Sequence, residues 1–139
     1  LRARKLQHFD IASLSIAVTV GEQNPLYHRE SDFVSAAELR ELPPVMYSNM
    51  DSGPYADIYD RLHLSNKGSR FVVSSRSALY EILSNTSCYT GLPSNYANYR
   101  TLKLANCDIT SEIIWFKRED YIMSQLSNEV INSVTRYFA

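Results

Sequence analysis

Hydrophobic and polar positions alternate first over residues 13–20, SLSIAVTV, where Leu14, Ile16, Val18 and Val20 are spaced by other residues. A period of two predicts a half-buried strand. Gly21 to Pro25 ends it, since Gly and Asn-Pro favour turns. Ser35-Ala36-Ala37-Glu38 has the form of a capping box, in which the Ser hydroxyl and the Glu carboxylate satisfy each other's backbone N–H. A short helix should follow to about Leu42, stopped by Pro43 and Pro44, and residues 45–48 read as a short strand.

The period then changes. Pro54 suits a first helical turn, and Tyr55, Ile58, Tyr59 and Leu62 form one apolar stripe, with Asn66-Lys67-Gly68 closing the unit. Phe71-Val72-Val73 has the composition of a buried strand, and Ser74-Ser75 offers an N-cap to a helix with Ala78, Leu79, Ile82 and Leu83 inside. Residues 88–93 read as a strand running into a turn, and residues 101–104 and 112–116 as further strands. Residues 124–138 are amphipathic, with Leu126, Val130, Val134 and Phe138 at every fourth position. Helices alternating with short strands predict an α/β fold with a mostly parallel sheet flanked by helices. In such sheets ligands sit at the carboxyl ends of the strands.

Composition narrows the picture. The chain has 139 residues, 45 % hydrophobic and 21 % charged, which suits a folded domain rather than a disordered one. Its formal net charge of −1 argues against gripping a nucleic acid backbone unaided. The densest basic run, Arg2, Arg4 and Lys5, reads as a solvated lead-in. Two cysteines, Cys88 and Cys107, make no metal-binding spacing, and with no secretory signal in view reduced thiols and a cytoplasmic location are expected. No apolar run approaches the ~18 residues of a membrane helix. The chain begins at Leu1 rather than Met, so an excised or processed piece is expected.

Candidate chemistry is sparse. There is no nucleophile elbow, zinc helix or phosphate loop, and His8, His28 and His63 stand apart, so no cofactor, metal or catalytic residue is expected. The suggestive site is Val73-Ser74-Ser75-Arg76, where a strand end and two hydroxyls lead into a helix start. The first-turn N–H groups lack intrahelical partners and the helix dipole is positive there, a setting that suits a carboxylate or other small anion. Arg76 opposes that dipole, and a bound anion would offset the cost. The plainer reading, that a serine merely caps the helix and Arg76 points to solvent, stays open. Ser48-Asn49 and Thr90-Gly91-Leu92-Pro93 also follow strands and should open on the same edge. Without a nucleophile–base pair these groups describe binding better than turnover.

The segments IAVTVGEQNPL, ELRELPPVMYS, FVVSSRSALYEIL, TSCYTGLPS and IIWFKREDYIMSQLSNEVINSVTRYF occur in an order and spacing that resembles the effector-binding region of LysR-type transcriptional regulators. Two departures stand out: Asn24 occupies a place where His is common, and Gly91 stands alone where the family usually has two glycines. The resemblance implies a periplasmic-binding-protein-like (type 2) fold. It further implies that residues 22–110 form a second α/β subdomain, and that residues 12–21 and 111–139 supply hinge strands and the closing helix of a first, partial subdomain. It implies that Ser48, Asn49, Ser74, Ser75, Arg76, Thr90, Gly91, Leu92 and Pro93 face a small-molecule effector. On this reading DNA is bound only through a separate helix-turn-helix domain, the protein forms homo-oligomers, and no membrane is involved. A transporter's solute-binding protein and a small α/β enzyme are the alternatives.

Overall fold

The computed structural model describes residues 5–48, 54–64, 70–91 and 96–139. The chain divides into two compact units, residues 15–109 and residues 1–14 with 110–139.

The larger unit is built on a mixed sheet. Strand β2 (Ala17–Gly21) lies antiparallel between β6 (Tyr89–Thr90) and β7 (Tyr99–Leu104), and β3 (Phe33–Val34) runs parallel to β7. Strand β4 (Val45–Tyr47) pairs in parallel with β5 (Phe71–Val73), Tyr47 opposite Val73. A parallel bridge between Pro44 and Tyr89 carries β4 on to β6. The spatial order is therefore β5-β4-β6-β2-β7-β3. The expectation of a mostly parallel sheet is corrected here: the sheet is mixed. Alternation of helix and strand does produce parallel neighbours at β4 and β5. It carries no information about β2, which comes before the first helix and is opposed to both of its neighbours.

Three short helices cover this sheet. Helix α1 (Ala36–Arg40) begins with the expected capping box: Ser35 Oγ accepts the Glu38 N–H at 3.2 Å, and Glu38 Oε2 accepts the Ser35 N–H at 2.9 Å. Those bonds, with the Arg29 guanidinium beside it, hold the Glu38 carboxyl below its usual range. Leu39 of α1 and Tyr59 of α2 (Pro54–Arg61) join Val18, Val20, Met46, Tyr89 and Leu102 in one core cluster. Helix α3 (Arg76–Asn85) sends Leu79 and Leu83 into a second cluster with Val45 and Cys88. Val45 and Met46 are consecutive yet fall in different clusters, as strand alternation requires, so the sheet has a core on each face.

Polar ties fix the loops. Asn24 is 2 % exposed; its amide donates to the carbonyls of Ser87 (2.6 Å) and Cys88 (3.2 Å), and its Oδ1 accepts from the Leu26 N–H. Arg100 donates to the carbonyls of Tyr27, Arg29 and Ser31 and pairs with Asp32, closing the loop after β2 onto β7.

The smaller unit is a ribbon and a helix. Strand β1 (Leu6–Ser15) pairs with β8 (Thr110–Arg118): Lys5 meets Glu119, Phe9 stacks on Trp115 with centroids 4.3 Å apart, and Ser13 donates to Glu112. The single strand expected over residues 13–20 is thus two, broken at Ile16, and β1 reaches much further back. Residues 6–12 lack apolar alternation because neither face of that stretch is buried. Helix α4 (Gln125–Phe138) is capped by Ser124, whose Oγ accepts the Ser127 N–H. No residue of β1, β8 or α4 is buried.

Close packing at β2 gives a sharp test. A Cβ on Gly21 would strike the carbonyl oxygen of Leu83 and lie 2.8 Å from its carbon, both backbone atoms that cannot swing away. Gly21→Ala should therefore destabilise the fold by about 1–3 kcal/mol, read as a lower urea midpoint with an unchanged slope. An unaltered midpoint would show that α3 can shift freely.

Candidate functional site

Strands β4, β5 and β6 run the same way, so their carboxyl ends share one edge. Adjacent strands lie about 4.8 Å apart, which places the β5 and β6 ends roughly 10 Å from each other across β4. Each end turns out into a residue of the expected site. Ser48 follows β4 and is exposed; Ser74 follows β5 and is exposed; Gly91 follows β6 and is half-buried. The edge is therefore a short row of a hydroxyl, a hydroxyl and a half-buried glycine. Asn49, Leu92 and Pro93 lie outside the described residues.

Ser75 does what the plainer reading asks. It is the N-cap of α3, and its Oγ accepts the Ala78 N–H at 3.2 Å and lies 3.3 Å from Ser77 Oγ. Its backbone is extended, as an N-cap requires. Ser74, one residue earlier, is not the cap and stands exposed at the strand end. The two hydroxyls that look equivalent in the sequence therefore have different duties.

Arg76 opens the helix, and α3 carries no acidic residue in its first turn. Its side chain is exposed, and the Tyr47 side chain, with Tyr80 and Tyr96 nearby, raises its pKa above the ordinary value.

Thr90 is placed differently from the expectation. It is 2 % exposed, paired in register with Thr19, itself buried, whose Oγ1 lies 3.2 Å from Thr101 Oγ1. Thr90 therefore belongs to the interior of the sheet. Its neighbour Gly91 packs against Tyr59, whose hydroxyl would sit 2.8 Å from an added Cβ. Beneath Gly91 and Tyr59 lies an apolar cavity of about 40 Å³, walled by Ile16, Val18, Leu62 and Leu104 among others.

Tyr47 and Tyr80 were not singled out from the sequence. Their signal was present: Tyr80 is four residues after Arg76 on a helix, and Tyr47 closes the strand before Ser48. Among the described residues no group of His, Cys, Asp or Glu could hold a metal ion, and no helix is long and apolar enough to cross a membrane.

Removing the cap should separate the two serines. Ser75→Ala is expected to cost about 1 kcal/mol of stability, whereas Ser74→Ala should leave the melting temperature within a degree or so. Equal effects of the two changes would contradict this division of roles.

No protein-family model matches the sequence, and no curated protein matches it. Solved structures do. HinK, a LysR family transcriptional regulator from Pseudomonas aeruginosa, is 9 % identical with a TM-score of 0.71, covering 96 % of this chain and 49 % of HinK. The effector-binding domain of QuiR in complex with shikimate is 14 % identical, with a TM-score of 0.65, covering 95 % of this chain and 65 % of that one. The CcmR regulatory domain from Synechocystis PCC6803, in complex with 2-PG, is 11 % identical, with a TM-score of 0.64, covering 99 % and 69 %. The chain spans about half the length of the full-length regulator it matches and about two thirds of the isolated domains. At these identities the likeness is one of fold: the chain has the α/β fold of LysR effector-binding domains over nearly its whole length.

Proposed function

We propose that this chain is a ligand-sensing part of a LysR-type transcriptional regulator, and that its effector is a small carboxylate or similar anion. The observation that carries the reading is the shared edge of β4, β5 and β6. There Ser48, Ser74 and Gly91 follow neighbouring strand ends and Arg76 begins the next helix, in a fold shared with effector-binding domains. Arg76 supplies the charge and a fork of donors. Ser74 supplies a hydroxyl that the helix does not use, and Ser75 holds the first turn of α3 so that its N–H groups point at the ligand.

On this reading residues 22–110 form the second subdomain, and residues 12–21 and 111–139 the hinge strands and closing helix. The protein works in the cytoplasm, turns over no substrate, and touches DNA through a separate helix-turn-helix domain. Binding favours one arrangement of the regulator over another and so changes transcription. Two structural neighbours are complexes with small molecules, shikimate for QuiR and 2-PG for CcmR.

Thermal shift measurements with a panel of small carboxylates, shikimate among them, test the site. At least one acid should raise the melting temperature of the unaltered protein. Arg76→Ala should abolish the rise, and Ser74→Ala should reduce it. A rise that survives Arg76→Ala would remove the edge from consideration.

The same proposal includes a homo-oligomer. Leu126, Val130 and Tyr137 of α4 and Ile114 and Phe116 of β8 are exposed, Leu126 by 70 %. Exposed apolar surface of this extent marks a contact face, and a second copy of the chain is the proposed occupant. Light scattering on concentrated protein should give a mass above that of one chain, reduced by Leu126→Glu. A single-chain mass at all concentrations would refute it.

A further inference from the structure

The apolar cavity on the α1 and α2 side of the sheet has a wall chemistry of its own. Val18 of β2 and Leu104 of β7 form its sheet side, Leu39 of α1 and Leu62 beyond α2 its helix side, and the rings of Tyr59 and Tyr89 complete it. All of these but Leu62 are buried. Two wall positions are short: Val18 stops at its γ-methyls and Gly91 has no side chain. The Tyr59 hydroxyl takes up the room beside Gly91, where an added Cβ would come within 2.8 Å of it. Ser48, Ser74, Ser75 and Arg76 are not among the wall residues, so the cavity is distinct from the polar strand-end edge.

The volume of about 40 Å³ exceeds the roughly 10–15 Å³ that one water needs, so size admits a water. Chemistry does not favour one. A buried water needs about two to four polar partners, and this wall is carbon apart from its two phenols. Burial pushes the Tyr89 phenol above its ordinary range, with Tyr59 adding to the effect, so that ring carries no charge to draw solvent in. Wall atoms that face the cavity forgo dispersion contacts, and a nonpolar occupant restores them without displacing a hydrogen-bonded group. We propose that this cavity is a binding site for a small nonpolar molecule, a dissolved gas or short hydrocarbon of roughly one to three heavy atoms. Benzene occupies apolar cavities of about 150 Å³ and is too large for this one. A ligand of so few atoms binds in roughly the millimolar range. The site uses no charge and stands independently of the anion reading above.

Xenon is a neutral probe of this size. Methyl spectra of the protein under rising xenon pressure should show saturable shifts at Val18, Leu39, Leu62 and Leu104, and only small, linear ones at the exposed Val72. Benzene should leave those four residues unmoved. Val18→Ile adds a methyl group to the wall and should weaken xenon binding by roughly fivefold or more. Leu62→Ala removes carbon from the half-buried end of the wall and should let benzene in. The two variants change the site in opposite directions, so a general loss of folding cannot produce both results. Shifts that do not saturate, benzene moving the same methyls in the unaltered protein, or xenon binding indifferent to Val18→Ile would overturn the site. Failure of Leu62→Ala to admit benzene would do the same. So would nuclear Overhauser contacts from water to the Val18 and Leu104 methyls, which would show that the cavity takes water instead.

Discussion

Strand β2 sits at the centre of the larger unit, and its two faces organise everything around it. Val18 and Val20 turn to one side and meet the residues brought by α1 and α2; Thr19 and Gly21 turn to the other, toward α3. Both edges are paired, to β6 and to β7. Gly21 marks where this arrangement is tightest, because the backbone of Leu83 occupies the space a side chain would need. With α3 pressed that closely, the start of the helix is fixed relative to the sheet. Ser74, Ser75 and Arg76 therefore meet the β4 end in a set geometry. Residues at strand ends need such a support, because the turns that carry them cannot order themselves.

The buried amide of Asn24 strengthens the same support from a different direction. It satisfies two carbonyls just before β6 and a backbone N–H in its own turn. A buried polar group with all its partners is worth most where it fixes one arrangement among several. Here it joins the loop leaving β2 to the turn that delivers Tyr89, Thr90 and Gly91. The sequence shows Asn24 as part of a turn and as a departure from a resemblance, and its buried role becomes visible once residues more than sixty positions apart are brought together.

Local signals were readable where the chemistry is local. The Ser35–Glu38 capping box, the stop at Pro43-Pro44, the Ser75 cap and the amphipathic stripe of α4 each depend on residues within a few positions. The α/β class followed from their alternation. Strand direction did not, because whether β2 runs with or against its neighbours is decided by partners sixty-nine to eighty-six positions away. The site divides in the same way. The helix start and the strand ends at Ser48, Ser74 and Gly91 were legible. The burial of Thr90 was not, since a threonine at a strand end looks the same whether it faces solvent or stands beside Thr19. The tyrosines at Arg76 were counted but not placed, because only Tyr80 has a sequence spacing that announces it.

The pairing of β2 also has a temporal side. Residues 17–21 leave the ribosome long before residues 89–104, the only described strands that flank them. Until those arrive, β2 is an apolar strand with two open edges, and closing the sheet requires a loop of about seventy residues to be drawn together first. The capped helix starts at Ser35 and Ser75 are short-range and can form while synthesis continues, but the sheet cannot. The growing chain therefore passes through a stage in which its future centre is an exposed apolar strand, the kind of surface that chaperones cover.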